Sequence, residues 1–276
     1  MRPLLLELPF GLPLYAYGAM LCLSIVAGRF LALRLAARDG LDIALLDRCC
    51  IWTAIGAFAG ARLLFDVTNF GELHSLVDSF AFWNGGMVAY GGFLGGFTAS
   101  AIFCRAHRIP LLAWADCAVP SLALGLTLTR IGCFLGGCDF GVPWHGPWAV
   151  RFPVGSPAFT QQALEGLLPA GATRSLPVHP TQLYESFAGL VLLVFVLSIH
   201  RRRTFTGQSF IVFTAGYAVL RFLIEIVRAD AGRGALGSLS TSQVIGVVTF
   251  VSVIVLALVL RRRGPGARRS EAYVSV

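Results

Sequence analysis

The 276-residue sequence contains no lysine: its 22 basic residues are all arginine, so neither Schiff-base chemistry nor a lysine general base is open to it. Charge of either sign is scarce, at 13% of residues, where soluble domains carry roughly a quarter. Apolar residues reach 56% and the mean hydropathy is +0.75, a composition that excludes an ordinary water-soluble globule. No soluble stretch interleaves basic residues with aromatics, so the formal net charge of +8 does not point to nucleic acid. The first hydrophobic stretch lacks the pairing of a basic lead-in with a small-residue cleavage site and reads as a retained helix.

What the chain has in abundance is apolar runs. A bilayer crossing takes about 20 predominantly apolar residues. Seven stretches of that kind centre on Tyr17 to Leu33, Cys49 to Phe65, Met87 to Cys104, Leu111 to Leu128, Leu183 to Ile199, Phe210 to Val227 and Val244 to Leu260. The expected fold is all-α, a single integral membrane domain over residues 1–276 with about seven transmembrane helices. Arginines crowd alternate connections: Arg34, Arg38 and Arg48; Arg105 and Arg108; Arg201, Arg202 and Arg203; then Arg261, Arg262, Arg263, Arg268 and Arg269. The positive-inside rule places these in the cytoplasm, with the N-terminus outside and a basic cytoplasmic tail over residues 264–276. A transporter would bring repeated halves and polar groups at mid-membrane; no repeat is visible here.

Setting aside the cytoplasmic arginines leaves Arg62, Arg130, Arg221 and Arg228 near the outer ends of the second, fourth and sixth stretches. Ionisable groups at such depth are costly unless paired or wetted, and are functional candidates. Tyr217, Arg221, Glu225 and Arg228 recur at helical spacing, predicting one polar stripe. Glu225 would answer two arginines with one negative charge, leaving a surplus suited to an anion. Gly56 to Gly60 and Gly91 to Gly96 read as close helix packing. Arg130 to Gly141 reads as a glycine-rich turn whose open amides suit a phosphate. Of seven cysteines, Cys22, Cys49, Cys50, Cys104 and Cys117 read as small core hydrophobes. Cys133 and Cys138 fall in the turn, paired or free. The one long external connection, residues 136–181, is an arm at headgroup level carrying Trp144, Trp148, His145, Arg151 and His179, with Thr181 as N-cap of the next helix.

These residues resemble the prolipoprotein diacylglyceryl transferases. The resemblance is carried by Tyr17-Gly18, by Asn84-Gly85-Gly86-Met87 leading to Tyr90-Gly91-Gly92, by Arg130-Ile131-Gly132, and by His179-Pro180-Thr181-Gln182-Leu183-Tyr184-Glu185, with Tyr217, Arg221, Glu225 and Arg228 in the sixth stretch. It implies a multi-pass enzyme of the bacterial inner membrane, its site facing the outer leaflet. Such an enzyme moves diacylglyceryl from phosphatidylglycerol to the lipobox cysteine of a prolipoprotein, without cofactor or metal. The implied catalytic pair is Arg130 and Arg221. Tyr17, Arg62, Tyr90, Gly91, Gly92, Gly132, His179, Gln182, Tyr184, Glu185, Tyr217, Glu225 and Arg228 are the implied substrate contacts, among membrane lipids. Three positions depart from the family pattern: Tyr90 stands where it has His, and Cys133 and Cys138 where it has Asn and Glu. Tyrosine is a poorer general base than histidine near neutral pH. Cys133, Cys138 and the adjacent Asp139 are therefore candidates whose role stays open, and a divergent paralogue with another acceptor, or a non-catalytic binder of phospholipid or lipoprotein, is the competing reading.

Overall fold

Backbone polar groups find no partner in hydrocarbon, so a chain this apolar is driven to pair them within helices. The computed structural model describes residues 4–8, 12–69, 86–229, 235–236 and 239–262. Among the described residues eight helices run in order: α1 Ala16–Arg38, α2 Ile43–Thr68, α3 Ala89–Ala106, α4 Leu111–Gly136, α5 Pro157–Leu164, α6 Thr181–Arg202, α7 Gln208–Glu225 and α8 Thr241–Arg262. Two short antiparallel hairpins join them, β1 Leu4–Leu8 with β2 Leu12–Tyr15 and β3 Ala235–Leu236 with β4 Leu239–Ser240. Six helices, all but α3 and α5, are long and apolar enough to cross a membrane. The protein is thus a polytopic, essentially all-helical membrane protein. Helix α3 has the length, but four glycines and Arg105 dilute its apolar character. Asn84, Gly85 and the basic tail over residues 264–276 lie outside the described residues.

The described residues divide into two compact units, one within residues 33–114, and one of those up to residue 32 with those from 115 to 262. The former is built on α2 and α3. Their glycines meet face to face: a Cβ on Gly60 would come within 2.8 Å of the Gly95 Cα, and one on Gly91 within 2.6 Å of the Leu64 Cβ. The glycine runs therefore serve close backbone approach, as their spacing predicts. Cys49 is more than a small hydrophobe, because its sulfur lies 3.6 Å from Ser100 Oγ, which accepts from Trp114 Nε1 at 2.9 Å.

The other unit packs α4 against α1 and α6. Ser121 Oγ donates to the Gly28 carbonyl at 2.7 Å, and Ser186 Oγ to that of Thr127 at 2.9 Å. Val119, Ala123, Leu192, Leu193, Val196 and Phe213 form the core between α4, α6 and α7. The connection from α6 to α7 is held from the side: Asp116, fully buried on α4, accepts from the amides of Gly207 at 2.7 Å and Phe210 at 2.9 Å. It thereby supplies the cap that Gly207, with φ 94°, cannot provide from a side chain. The arm after α4 has its own core of Phe140, Phe152, Ala158 and Val178. Backbone hydrogen bonds tie it down, from Gly141 N to His179 O, His179 N to Val142 O, and Val142 N to Val227 O.

Three expectations are corrected here. Helix α4 runs on through Gly136, so residues 130–136 are helical and their amides are spent within the helix; the turn begins only at Gly137, φ 79°, where two amides close back on Cys133 O. Thr181 is not the N-cap of α6. Pro180 holds that position, and Thr181 Oγ1 donates instead to the Asp139 carbonyl at 2.5 Å. Arg228 lies beyond the end of α7, after a turn at Ile226 and Val227, and its backbone bridges to Gly141.

Replacing Asp116 by Ala would strand two buried amides, at about 1–3 kcal/mol each. The expected result is a loss of about 2–6 kcal/mol, read as a lowered Tm in detergent, with Asp116→Asn losing less because its amide oxygen still accepts.

Candidate active site

Charged side chains buried in a membrane protein are costly unless each finds its opposite. Here they converge. Arg130, in the last two turns of α4, directs Nε to Glu185 Oε2 at 2.5 Å and Nη1 to Asp139 Oδ2 at 2.5 Å. Arg221 on α7 reaches Glu225 Oε2 at 2.8 Å one turn on, Ser242 Oγ at 3.2 Å and Glu185 Oε1 at 3.8 Å. Arg228 meets Asp139 Oδ1 at 2.5 Å and Glu185 Oε1 at 3.9 Å. Glu185, only 3% exposed, thus faces all three guanidiniums from the first turns of α6. An apolar recess lined by Leu126, Ala188, Leu220 and Ile224 opens beside Glu185, Tyr217 and Arg221.

The charge surplus expected around Glu225 is therefore not present in this cluster: Glu185 and Asp139 bring it to three arginines and three carboxylates. Asp139 is the member that sequence spacing hid, because its partners are 9 and 89 residues away. It lies next to Cys138, at which the resemblance would have placed a carboxylate, and supplies one. Burial works against its ionisation, but the Arg130 and Arg228 guanidiniums outweigh that and hold its carboxyl below the usual carboxylate range.

Every polar member of the block leading into α6 has a partner. His179 stacks on Trp144 at 4.3 Å and 10°, with Nδ1 3.1 Å from the Tyr184 hydroxyl. Burial lowers the His179 pKa, which favours the neutral ring. The Tyr184 hydroxyl accepts from Trp148 Nε1 at 2.7 Å, Gln182 Nε2 donates to Cys138 O at 2.6 Å, and Thr181 holds Asp139 O. Tyr217 stacks on Phe213. Gly132 lets α4 approach α1, since a Cβ there would sit 3.1 Å from the Tyr17 Cα; Tyr17 itself is 46% exposed at the start of α1. Cys133 and Cys138 are unbridged thiols, with Cys133 Sγ 3.9 Å from Arg130 Nη1. Their sulfurs and an Asp139 oxygen lie within 4.8 Å of one another, but both Asp139 oxygens engage guanidiniums, which disfavours a cation there.

The remaining expected residues belong to the other unit. Arg62 is buried, with Nε 3.2 Å from Asp66 Oδ1, Nη1 donating to Gly86 O at 3.2 Å, and its guanidinium over the Phe65 ring. Asp66, four residues on along α2, is a partner the sequence analysis did not single out. Tyr90 opens α3 half-buried, Gly91 packs on Gly60, and Gly92 makes ordinary contact with α2.

The class so defined is a multi-pass membrane protein with a buried arginine and carboxylate cluster framed by aromatic residues of a connecting arm. Residues 3–259 match the prolipoprotein diacylglyceryl transferase family, and the chain belongs to it. It is similar to the phosphatidylglycerol–prolipoprotein diacylglyceryl transferase of Clostridium tetani, 32% identical over 251 residues covering 91% of this chain and 94% of that one. It is also similar to that of Geobacter sulfurreducens, 33% identical over 91% and 92%, and that of Gloeobacter violaceus, 32% identical over 98% and 96%.

Because the folded-state pKa of Asp139 is depressed, its contribution to stability is present above the unfolded value of about 3.9 and is lost as pH falls through the folded one. Wild-type Tm should drop on acidification below about pH 4, and Asp139→Asn should flatten that part of the Tm-against-pH curve. An unchanged slope would remove Asp139 from the network.

Proposed function

We propose that this protein transfers the diacylglyceryl group of phosphatidylglycerol to a prolipoprotein cysteine. The observation that carries the reading, beyond family membership, is the convergence of Arg130, Arg221 and Arg228 on one buried carboxylate. In the reaction the acceptor thiolate forms a bond to glyceryl C3 as the C3–O bond to phosphate breaks, giving a thioether and glycerol phosphate; the thiol proton passes to solvent. A thiol of pKa about 8.5 is mostly protonated at neutral pH, so a cationic field that favours the thiolate raises the reactive fraction. The same field stabilises the negative charge that accumulates on the leaving phosphate. Substrate contact by Tyr17, Arg62, Tyr90, Gly91, Gly92, His179, Gln182, Tyr184 and Tyr217 is part of this reading, with the lipobox segment as the acceptor. The chain acts as one integral domain of seven spans in the bacterial inner membrane, with the site toward the outer leaflet.

Orientation is checked by reporters: one after Arg202 should read cytoplasmic and one at Gly155 external, and the reverse pattern would overturn the leaflet assignment. Activity is checked with purified protein, phosphatidylglycerol and a lipobox peptide, by release of glycerol phosphate. Arg130→Lys and Arg221→Lys keep charge but lose the planar fork. Each should cut transfer at least about tenfold, non-additively as expected of groups acting together, while Arg201→Lys on the exposed end of α6 should leave it unchanged. Retention of activity in both site variants would sink the cationic-field mechanism. A wild type that binds phosphatidylglycerol but releases nothing would support the binder reading, for which the thiols at positions 133 and 138 speak.

A further inference from the structure

Within the cluster, one acid differs from the other two. Glu185 and Glu225 have side chains 3% and 1% exposed, whereas that of Asp139 is 25% exposed, on the rim. Its two oxygens go to two different arginines, Oδ2 to Arg130 Nη1 and Oδ1 to Arg228 Nη2, each at 2.5 Å. One oxyanion therefore bridges two guanidinium forks, as two oxygens of a phosphate would. Arg221 is arranged otherwise. It pairs with Glu225 on its own helix, and its Nη1 makes no hydrogen bond, standing 3.8 Å from Glu185.

We propose that Asp139 is an internal stand-in for the lipid phosphate, bridging Arg130 and Arg228 until the phosphate displaces it. This rests on the transfer reading above for the identity of the lipid, but its anion chemistry is separable. The exchange is charge-neutral: a phosphodiester carries one negative charge, as the Asp139 carboxylate does, so three arginines still face three anions with lipid bound. In this exchange it is the Asp139 side chain that moves. The backbone of the turn is fixed by Thr181 Oγ1 on Asp139 O and by Gln182 Nε2 on Cys138 O, and Asp139 itself sits at φ 58°, a region aspartate tolerates better than most residues. When the C3–O bond breaks, the departing glycerol phosphate holds the additional charge between the two forks. Return of Asp139 then competes with it and helps expel it. Arg221, by contrast, stays beside Glu185 and the apolar recess as a positioning and field-setting group.

The test is binding of glycerol phosphate to detergent-purified protein, by calorimetry and by Tm. Asp139→Asn vacates the subsite without removing either fork, so its Kd for glycerol phosphate should fall at least about tenfold below wild type, about 1.4 kcal/mol. Its lowered Tm should recover with added inorganic phosphate but not with chloride. Adding Arg228→Ala should abolish both gains, while adding Arg221→Ala should not. If Asp139→Asn accumulates poorly, purification in phosphate buffer should rescue it. Binding no tighter than wild type, a gain that survives Arg228→Ala, or an unfolded variant that phosphate does not rescue would each overturn the stand-in. Tighter binding in a protein that transfers nothing would leave the stand-in intact and defeat the transfer reading instead.

Discussion

Glu185 is the fixed point around which the site is organised. A carboxylate 3% exposed at the head of α6 would be prohibitive in a membrane protein without compensation, and it is compensated by guanidiniums from α4, from α7 and from the turn after α7. The dependence runs both ways. Three cations at that depth would repel one another apart from it, so the closure of α4, α6 and α7 at this end and the presence of the charges are one condition. The first turns of α6, which carry Glu185, also hold the loop after α4, through Thr181 and Gln182, and so set where Asp139 can reach.

That coupling explains why a short block of sequence is so distinctive. In His179 to Glu185, five side chains each meet a different partner: an indole, a loop carbonyl, a second loop carbonyl, another indole and a guanidinium. At the buried members, Thr181, Gln182 and Glu185, a change leaves a buried group unmet, which costs more than the hydrogen bond itself gains. The block's specificity is therefore in part a consequence of pairing where water is excluded, and the chemistry is laid over it.

How much of this was legible beforehand depended on sequence distance. Six of the seven expected spans were plain, because hydrophobic length is a local property, and the α2–α3 glycine contacts followed from four-residue spacing. Pairings within one turn, Arg221 with Glu225 and Arg62 with Asp66, lie at helical spacing. Asp139 was legible only as a neighbour of an altered position, since nothing local joins it to Arg228, 89 residues on. The end of α4 was misplaced for a related reason: Gly132, Gly136 and Gly137 look like a turn, yet only Gly137 adopts a left-handed conformation, while Gly132 is there to admit α1. The surplus of positive charge read into Glu225 failed because it counted acids on one helix when three elements contribute.

A balanced cluster changes what binding an anion requires. An excess of unpaired arginine in hydrocarbon would attract phosphate strongly, but it would also destabilise the empty protein and retain product. With three carboxylates in place, the resting site is neutral and stable, and an incoming phosphodiester has to offer what the least buried carboxylate already offers. Its advantage is then largest when bond breaking adds charge, which is where catalysis requires the interaction to be strongest. The exposure gradient, from Glu225 through Glu185 to Asp139, orders the acids by how hard each is to displace. It leaves the two inner ones to hold the helices together while the outer one yields.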